Sequence, residues 1–226
     1  RRFLDLEEGD VAELATAGVQ VDTLAGDKVQ REVKESQFNA DAVQRGDYAH
    51  YMLKEIHEQP VAVADTLEGR IAGGKVLTQI FGVEAEQLLA ATQAVHIIAC
   101  GTSHHAGLVA RYWIEQLAGV PCTTEIASEY RYRDPVVKEG TLFLTISQSG
   151  ETADTLAALK LAKDRPYLAR MAVCNVPESS IVRESSLVLM TRAGPEIGVA
   201  STKAFTTQLV ALALFSLALA RVKGLD

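Results

Sequence analysis

The stretch Leu142-Phe143-Leu144-Thr145-Ile146-Ser147-Gln148-Ser149-Gly150-Glu151-Thr152 predicts both a fold class and a binding site. Its first five residues are an apolar run typical of a buried strand, and residues 153–163 behind it are typical of a helix. Such a junction brings the free N–H groups of the first helical turn, and the positive end of the helix dipole, to the end of a strand. It therefore predicts an anion site.

Small hydroxyl residues form this junction. Ser147, Ser149 and Thr152 can donate hydrogen bonds to anionic oxygens, and Gly150 has no Cβ that would keep a ligand from the backbone. The junction contains no lysine, which excludes the nucleotide-binding pattern Gly-Lys-Ser/Thr and favours a monophosphate. The alternative is an ordinary capped helix, because serine and threonine are common N-cap residues.

Two further segments share this chemistry. Cys100-Gly101-Thr102-Ser103 follows the apolar run 95–99, and Gly198-Val199-Ala200-Ser201-Thr202-Lys203 leads into a long apolar helix. In an open parallel sheet such turns lie at the same edge, beyond the carboxyl ends of the strands. The three turns could therefore enclose one small polar ligand.

Strand and helix patterns alternate from residue 85 onward, and this alternation predicts a doubly wound α/β fold: a mostly parallel sheet flanked by helices. Strands are predicted at 94–100, 121–127, 141–146, 170–175 and 187–191, and helices at 104–117, 152–163, 179–184 and 202–222. Val109, Trp113 and Leu117 are spaced by four, which predicts one apolar face on the helix 104–117.

The N-terminal part divides differently. Residues 1–35 alternate short apolar runs with turn signals and predict a β-rich tail of hairpins. Residues 36–47 are predicted to be a linker, and residues 48–226 the α/β domain with a leading helix. That helix is a candidate over 47–68, with Pro60 expected to interrupt or end its first half.

Composition excludes several classes of protein. The chain has 226 residues and a net charge of −7, without a basic stripe, so we expect no nucleic-acid partner. The uncharged segment 204–220 has about 17 residues, at or below the lower limit for crossing a bilayer, so we expect a buried helix and no membrane partner. Three cysteines, an odd count without close pairing, favour a reducing compartment and hence the cytoplasm. The start Arg1-Arg2-Phe3 has neither methionine nor a signal peptide, so we expect a fragment or a processed chain.

Other polar residues have simpler interpretations. His104 and His105 are neighbours at a helix start and point about 100° apart, so we predict no metal site. His96 is expected to be a satisfied core residue, and Glu151 to serve the helix N-terminus instead of the ligand. Lys203 either senses the phosphate or pairs with a carboxylate. Cys100 either reacts with electrophiles or is a buried small residue. No cofactor is predicted.

The strings ACGTS, SQSGETADTL and EIGVASTKAFTTQL together resemble the sugar isomerase (SIS) domain, and IASEYRYRDP and CNVPESSIVRES extend the resemblance. The resemblance covers residues 48–226. More specifically, these strings resemble the first SIS domain of the glucosamine-6-phosphate synthase family. The resemblance implies that fructose 6-phosphate or glucosamine 6-phosphate binds here. Matching positions imply a substrate-binding set of Thr102, Ser103, Ser147, Gln148, Ser149, Thr152, Val199, Ala200 and Ser201.

The same resemblance implies what surrounds this domain. Enzymes of the family make glucosamine 6-phosphate from fructose 6-phosphate and glutamine. Residues 1–35 are similar to the tail of their glutaminase domain, a second SIS domain would follow Asp226, and the whole would form a homodimer. The family's catalytic lysine and base lie in that second half, and its glutaminase nucleophile would stand where this chain has Arg1. We therefore assign no catalytic residue and expect binding without turnover. Two alternatives remain, a stand-alone SIS sensor of sugar phosphates and a dimerisation module built on the helix 202–222.

Overall fold

A computed structural model describes residues 2–35 and 44–225. Two compact units contain these residues, one holding residues 2–35 and the other residues 44–225. Most of the linker predicted at 36–47, namely residues 36–43, lies outside the described residues.

The N-terminal unit is made of short antiparallel strands, as predicted. They are β1 (Arg2–Leu4), β2 (Asp10–Ala15), β3 (Gly18–Thr23), β4 (Lys28–Val29) and β5 (Val33–Glu35). β1 pairs with β5, and β2, β3 and β4 form a three-stranded sheet in that order. Arg31 binds the Asp10 carboxylate through two nitrogens at 2.8 and 2.9 Å, which joins the start of β2 to the connection between β4 and β5.

The second unit is built on a five-stranded parallel sheet, which confirms the predicted fold class. Its strands are β8 (Ala94–Ala99), β9 (Cys122–Ile126), β10 (Thr141–Ser147), β11 (Ala169–Cys174) and β12 (Leu187–Met190). Their order is β12-β11-β10-β8-β9, and every neighbouring pair is parallel. The chain therefore turns back at β8: β9 lies on one side of it, and β10 to β12 follow on the other.

Helices cover both faces of the sheet. They are α1 (Tyr51–Leu67), α2 (Ala85–Ala91), α3 (Gly101–Ala118), α4 (Ala127–Tyr130), α5 (Ala153–Lys163), α6 (Ser180–Arg183) and α7 (Lys203–Val222). Between α1 and α2 lie a small hairpin, formed by β6 (Ile71–Ala72) and β7 (Lys75–Val76), and a 3₁₀ turn (Thr78–Phe81). One core cluster packs α2, α3 and α7 on the sheet, and a second packs α4, α5 and α6 on the opposite face. Alternate residues of β10 supply the two cores, since Leu142, Leu144 and Ile146 belong to the first and Phe143 to the second.

Pro60 does not interrupt α1, so that prediction was wrong. A proline inside a helix leaves the carbonyl four residues earlier without its N–H partner. Here the side-chain Nε2 of Gln59 donates to the Ile56 carbonyl at 3.1 Å and replaces the missing bond. The helix therefore continues from Tyr51 to Leu67.

The core-facing side of α3 also differs from the prediction. Five of its six buried residues are small (Ser103, Ala106, Gly107, Ala110 and Ala118) and the sixth is Ile114, whereas Leu117 is 40% exposed. A Cβ at Gly107 would lie 2.9 Å from Cγ2 of Ile97 on the sheet. Small residues allow α3 to lie close to the strands. The face that permits this close packing is therefore the buried one, and not the face with the larger apolar side chains.

The apolar helix α7 lies in the core, as expected from its sequence. Twelve of its twenty residues are buried, among them Leu212, Phe215 and Leu219. It is the one helix of the described chain that is long and apolar enough to cross a membrane, a test that the core helix of a soluble protein also passes.

Candidate functional site

The candidate site lies where β8 and β10 end side by side. Ala99, the last residue of β8, pairs with Ile146, and Ser147 follows as the end of β10. The connection after β8 enters α3 on one face of the sheet, and the connection after β10 enters α5 on the other. Such a reversal of direction opens a crevice at the carboxyl edge, where ligands bind in doubly wound sheets.

Residues 147–152, named here the phosphate loop, form a tight turn closed by their own hydroxyls. The N–H of Gly150 donates to Ser147 Oγ at 3.0 Å, and the N–H of Glu151 donates to Ser149 Oγ at 3.1 Å. Ser147 Oγ also lies 3.1 Å from Thr152 Oγ1. Two backbone N–H groups of the loop are thus already used inside it.

The N-terminus of α5 is nevertheless open. Thr152 occupies the N-cap position, but its side chain makes no capping bond. Within residues 2–35 and 44–225 no acceptor is found for the backbone N–H groups of Ser149, Thr152 and Ala153. The ordinary capped helix is therefore not what the chain forms here, and these donors stand at the positive end of the helix dipole.

The segment 174–181 supports the phosphate loop from behind. Gly150 has φ of 67°, and a Cβ at this residue would lie 2.0 Å from Ser179 Oγ and 2.8 Å from Cys174 Sγ. Its carbonyl accepts the N–H of Ile181 at 3.1 Å. Packing against this segment, in addition to any ligand, thus requires a glycine at position 150.

Glu151 serves a helix N-terminus, although not that of α5. Its Oε1 accepts the N–H of Ser180 at 2.6 Å, at the start of α6. The acidic residue in the first turn of α5, Asp154, is held by Arg131 at 2.7 Å. The carboxylate in the loop, Glu151, and the one after it, Asp154, therefore both have partners within the protein.

The first turn of α3 forms the other wall of the crevice. Gly101 adopts φ of 56° and starts the helix; Thr102 is exposed, whereas Ser103 is 9% exposed. The N-cap residue Cys100 makes no side-chain capping bond, and its Sγ lies 3.9 Å from Thr155 Oγ1 in α5. This contact joins the start of α3 to the start of α5, so the structure brings Thr102 and Ser103 to the same edge as the phosphate loop.

Residues 197–201, named here the third loop, lie after β12. Val199 is fully exposed and Ala200 is exposed, while Ser201 Oγ donates to Glu196 Oε2 at 3.1 Å. Glu196 Oε1 also accepts the N–H groups of Thr202 and Ala204 and so caps α7. The contacts found for the third loop are with Glu196 and with α1, and none joins it to the phosphate loop among the described residues.

Lys203 is not available to a ligand in this structure. Its side chain is 5% exposed, and Nζ lies 2.7 Å from Glu58 Oε2 in α1. Lys203 and Lys54 lower the pKa of the Glu58 carboxyl, against the opposing effect of its partial burial. Of the two roles left open for Lys203, pairing with a carboxylate is the one observed.

His96 is a satisfied core residue, as predicted. Its Nδ1 lies 3.0 Å from Tyr167 Oη and its Nε2 lies 3.3 Å from Glu125. Burial lowers the pKa of His96, whereas the fork of Arg133, at 2.5 and 2.6 Å, lowers the pKa of Glu125. These groups line a cavity of about 370 Å³ beside β9, which is separate from the crevice.

Gln148 carries an unsatisfied group in the phosphate loop. Its side-chain Oε1 is buried and finds no hydrogen-bond partner among the described residues. A buried acceptor without a donor is costly, and a ligand hydroxyl would satisfy it. Among the same residues, no group of three or more His, Cys, Asp or Glu side chains could hold a metal ion.

The sequence model of the SIS domain matches residues 88–218, more than half of the chain. The chain belongs to the SIS domain family. This match spans β8 to α7 and thus includes all three loops. The five-stranded sheet and the crevice between β8 and β10 are accordingly the SIS fold of this chain.

Relatives of this SIS chain are much longer than it is. It is 60% identical, over 99% of its length, to a glutamine–fructose-6-phosphate aminotransferase (isomerizing) of Pseudomonas syringae pv. tomato, and 54% identical over its whole length to that of Escherichia coli K12. The chain spans 36% and 37% of those proteins. Among solved structures, the C-terminal domain of glucosamine-fructose-6-phosphate aminotransferase from Francisella tularensis matches with a TM-score of 0.79 and 55% identity, covering 81% of this chain and 52% of that one.

Proposed function

We propose that this SIS domain binds a hexose 6-phosphate, fructose 6-phosphate or glucosamine 6-phosphate, in the crevice between β8 and β10. The observation that carries the proposal is the open N-terminus of α5. It presents backbone N–H groups and the hydroxyls of Ser149 and Thr152 to an anion, and no lysine or arginine is found in contact with the phosphate loop in the described chain. A dianion can be held in this way, because N–H groups and the helix dipole together favour phosphate.

The other proposed ligand contacts suit the sugar. The buried Oε1 of Gln148 can accept a sugar hydroxyl, while Thr102 and Ser103 stand on the opposite wall. Val199, Ala200 and Ser201 would add an uncharged side, with backbone groups and the Ser201 hydroxyl as its polar atoms. We therefore propose that the anion binds at α5, that the sugar faces the two other loops, and that the nine residues inferred from the sequence form the substrate-binding set.

The names of the relatives suggest the reaction in which the proposed ligand takes part. Proteins named glutamine–fructose-6-phosphate aminotransferase (isomerizing) match nearly the whole chain at 54–60% identity. We therefore propose that the chain is the sugar-phosphate-binding part of such an enzyme, in the cytoplasm and in a homodimer. Residues 1–35 would end a glutaminase domain, residues 36–47 would form a linker and residues 48–226 the first SIS domain, with a second one elsewhere in the same protein. The free thiols of Cys100, Cys122 and Cys174 agree with a reducing compartment.

Calorimetry on the natural full-length protein tests the proposal. Fructose 6-phosphate and glucosamine 6-phosphate should bind, fructose should not, and Thr152→Ala should weaken binding by about 1–3 kcal/mol, the cost of a hydrogen bond to a charged group. Ser185→Ala is a matched control, because its hydroxyl donates to the Ile181 carbonyl away from the crevice. Equal affinity for fructose and for its phosphate would contradict the assignment of the phosphate loop.

A further inference from the structure

Glu55 is a buried carboxylate whose hydrogen bonds, among the described residues, come from backbone N–H groups and not from a basic side chain. It lies in the middle of α1 and is 2% exposed. Its Oε1 accepts the N–H of Ile197 at 2.6 Å and that of Gly198 at 3.0 Å, and its Oε2 lies 3.3 Å from the same Gly198 nitrogen. Hydrogen bonds from N–H groups to an ionised acceptor are among the strong ones. One side chain of α1 thus holds two consecutive residues of the third loop.

Gly198 is shaped for this contact. A Cβ at position 198 would lie 2.5 Å from Glu55 Oε2 and 3.5 Å from the Cα of Met52. Any side chain would therefore push the loop away from α1 or displace the carboxylate. The glycine and the glutamate form one matched pair, although 143 residues separate them.

The far end of the third loop is fixed independently. Glu196 accepts the N–H groups of Thr202 and Ala204 at 2.9 and 3.1 Å and holds the hydroxyl of Ser201. Within the described part of the chain, Val199 and Ala200 are the residues of this loop for which no such contact is found, and both are exposed. The hydrogen bonds of Glu55 and Glu196 on either side therefore determine the conformation of Val199 and Ala200.

We infer that Glu55 is a positioning residue, which holds the third loop in the conformation that receives the sugar of a hexose 6-phosphate. This inference rests on the proposed function. It adds that the two loops are supported by different segments. α1 holds the third loop, on the sugar side of the crevice, whereas the segment 174–181 holds the phosphate loop through Gly150, Glu151 and Ser180. Disturbing Glu55 should therefore weaken recognition of the sugar and leave recognition of the phosphate intact.

Glu55→Gln in the natural full-length protein is the first test. The amide keeps the shape of the side chain but removes its charge. With its oxygen at the Oε1 position it places an NH2 group at the Oε2 position, 3.3 Å from the Gly198 nitrogen, so the Kd of fructose 6-phosphate should rise at least tenfold. The Kd of inorganic phosphate should change less than twofold. Gly198→Ala attacks the same contact from the loop and should reproduce the effect, which keeps the test valid if Glu55→Gln fails to fold. Asp65→Asn, an exposed position on the same helix, removes the same charge and should change neither Kd.

Amide hydrogen exchange separates this inference from the proposed function. In Glu55→Gln the amides of Ile197 and Gly198 should exchange faster, while those of Gly150 and Glu151 keep their wild-type rates. Faster exchange with an unchanged Kd for fructose 6-phosphate would overturn the positioning role alone. An equal loss of inorganic phosphate binding would overturn the division between α1 and the segment 174–181. Wild-type protein that binds neither hexose 6-phosphate would overturn the proposed function, and this inference with it.

Discussion

Gly150→Ala should be the most damaging single-methyl change in the phosphate loop. Position 150 has φ of 67°, and the left-handed region costs a residue with a Cβ about 1–2 kcal/mol. The new methyl would also lie 2.0 Å from Ser179 Oγ, 2.4 Å from Ser179 Cβ and 2.8 Å from Cys174 Sγ. Both neighbours are buried, so the overpacking costs about 1–3 kcal/mol more. Together the free energy of unfolding should fall by about 2–5 kcal/mol.

Gly101→Ala is the matched control for this change. Gly101 has a similar φ of 56°, but nothing lies within 4 Å of its added Cβ. It should therefore show the backbone cost alone, about 1–2 kcal/mol. The difference between the two variants then measures the packing of the phosphate loop against the segment 174–181.

Urea unfolding followed by Trp113 fluorescence gives both free energies, because Trp113 is the sole tryptophan of the chain and lies in the α/β unit. Adding Ser179→Gly to Gly150→Ala removes the two closest contacts and should recover part of the loss. Equal unfolding free energies for Gly150→Ala and Gly101→Ala would refute the packing argument. A double variant no more stable than Gly150→Ala would refute the assignment to Ser179.

Two further predictions concern titratable groups. Burial lowers the pKa of His96 from 6.5, so the folded state favours its neutral form and the unfolding free energy should fall as the pH drops below about 6.5; His96→Gln should remove this fall. The lowered pKa of Glu125 adds stability that is complete above about pH 4.5 and is lost only at lower pH. This second loss should therefore persist in His96→Gln. Identical pH profiles of the unfolding free energy for the wild type and His96→Gln would contradict both assignments. Cys100 is half-buried, whereas burial raises the pKa of the Cys122 thiol to about 12 and also raises that of Cys174. Iodoacetamide at pH 8 should therefore label Cys100 first, as mapped by mass spectrometry, and labelling of Cys122 at the same rate would contradict this order.

The individual strands and helices could be predicted because they depend on apolar patterns and turn residues that are neighbours in the sequence. The apolar run 142–146, the hydroxyl turn and the helix behind it are neighbours in sequence, and the structure keeps them as β10, the phosphate loop and α5. The order of the strands could not be obtained in this way. It places β8 between β9 and β10, and long-range pairing with no local sequence signal decides it.

Contacts between distant segments explain the remaining differences. Glu55 looks like one of several acidic residues on an amphipathic helix, and nothing near it in sequence indicates that it binds Gly198. Likewise, the glycine at 150 indicated an approach to a ligand, whereas the nearest atoms to its absent Cβ belong to Ser179 and Cys174. A glycine or a buried carboxylate can be recognised as special from the sequence, but its partner is set by the tertiary fold.

The positions of the carboxylates favour one helix start for the proposed anion. A helix N-terminus that already faces a carboxylate has its dipole and free N–H groups satisfied and gains little from a second anion. α6 is in that position through Glu151, and α7 through Glu196. α5 has no side-chain cap, and the one acidic residue of its first turn, Asp154, is neutralised by Arg131. Of these three starts, only α5 also lies beside the point where the sheet reverses direction, which supports the proposal that an external phosphate binds at the phosphate loop.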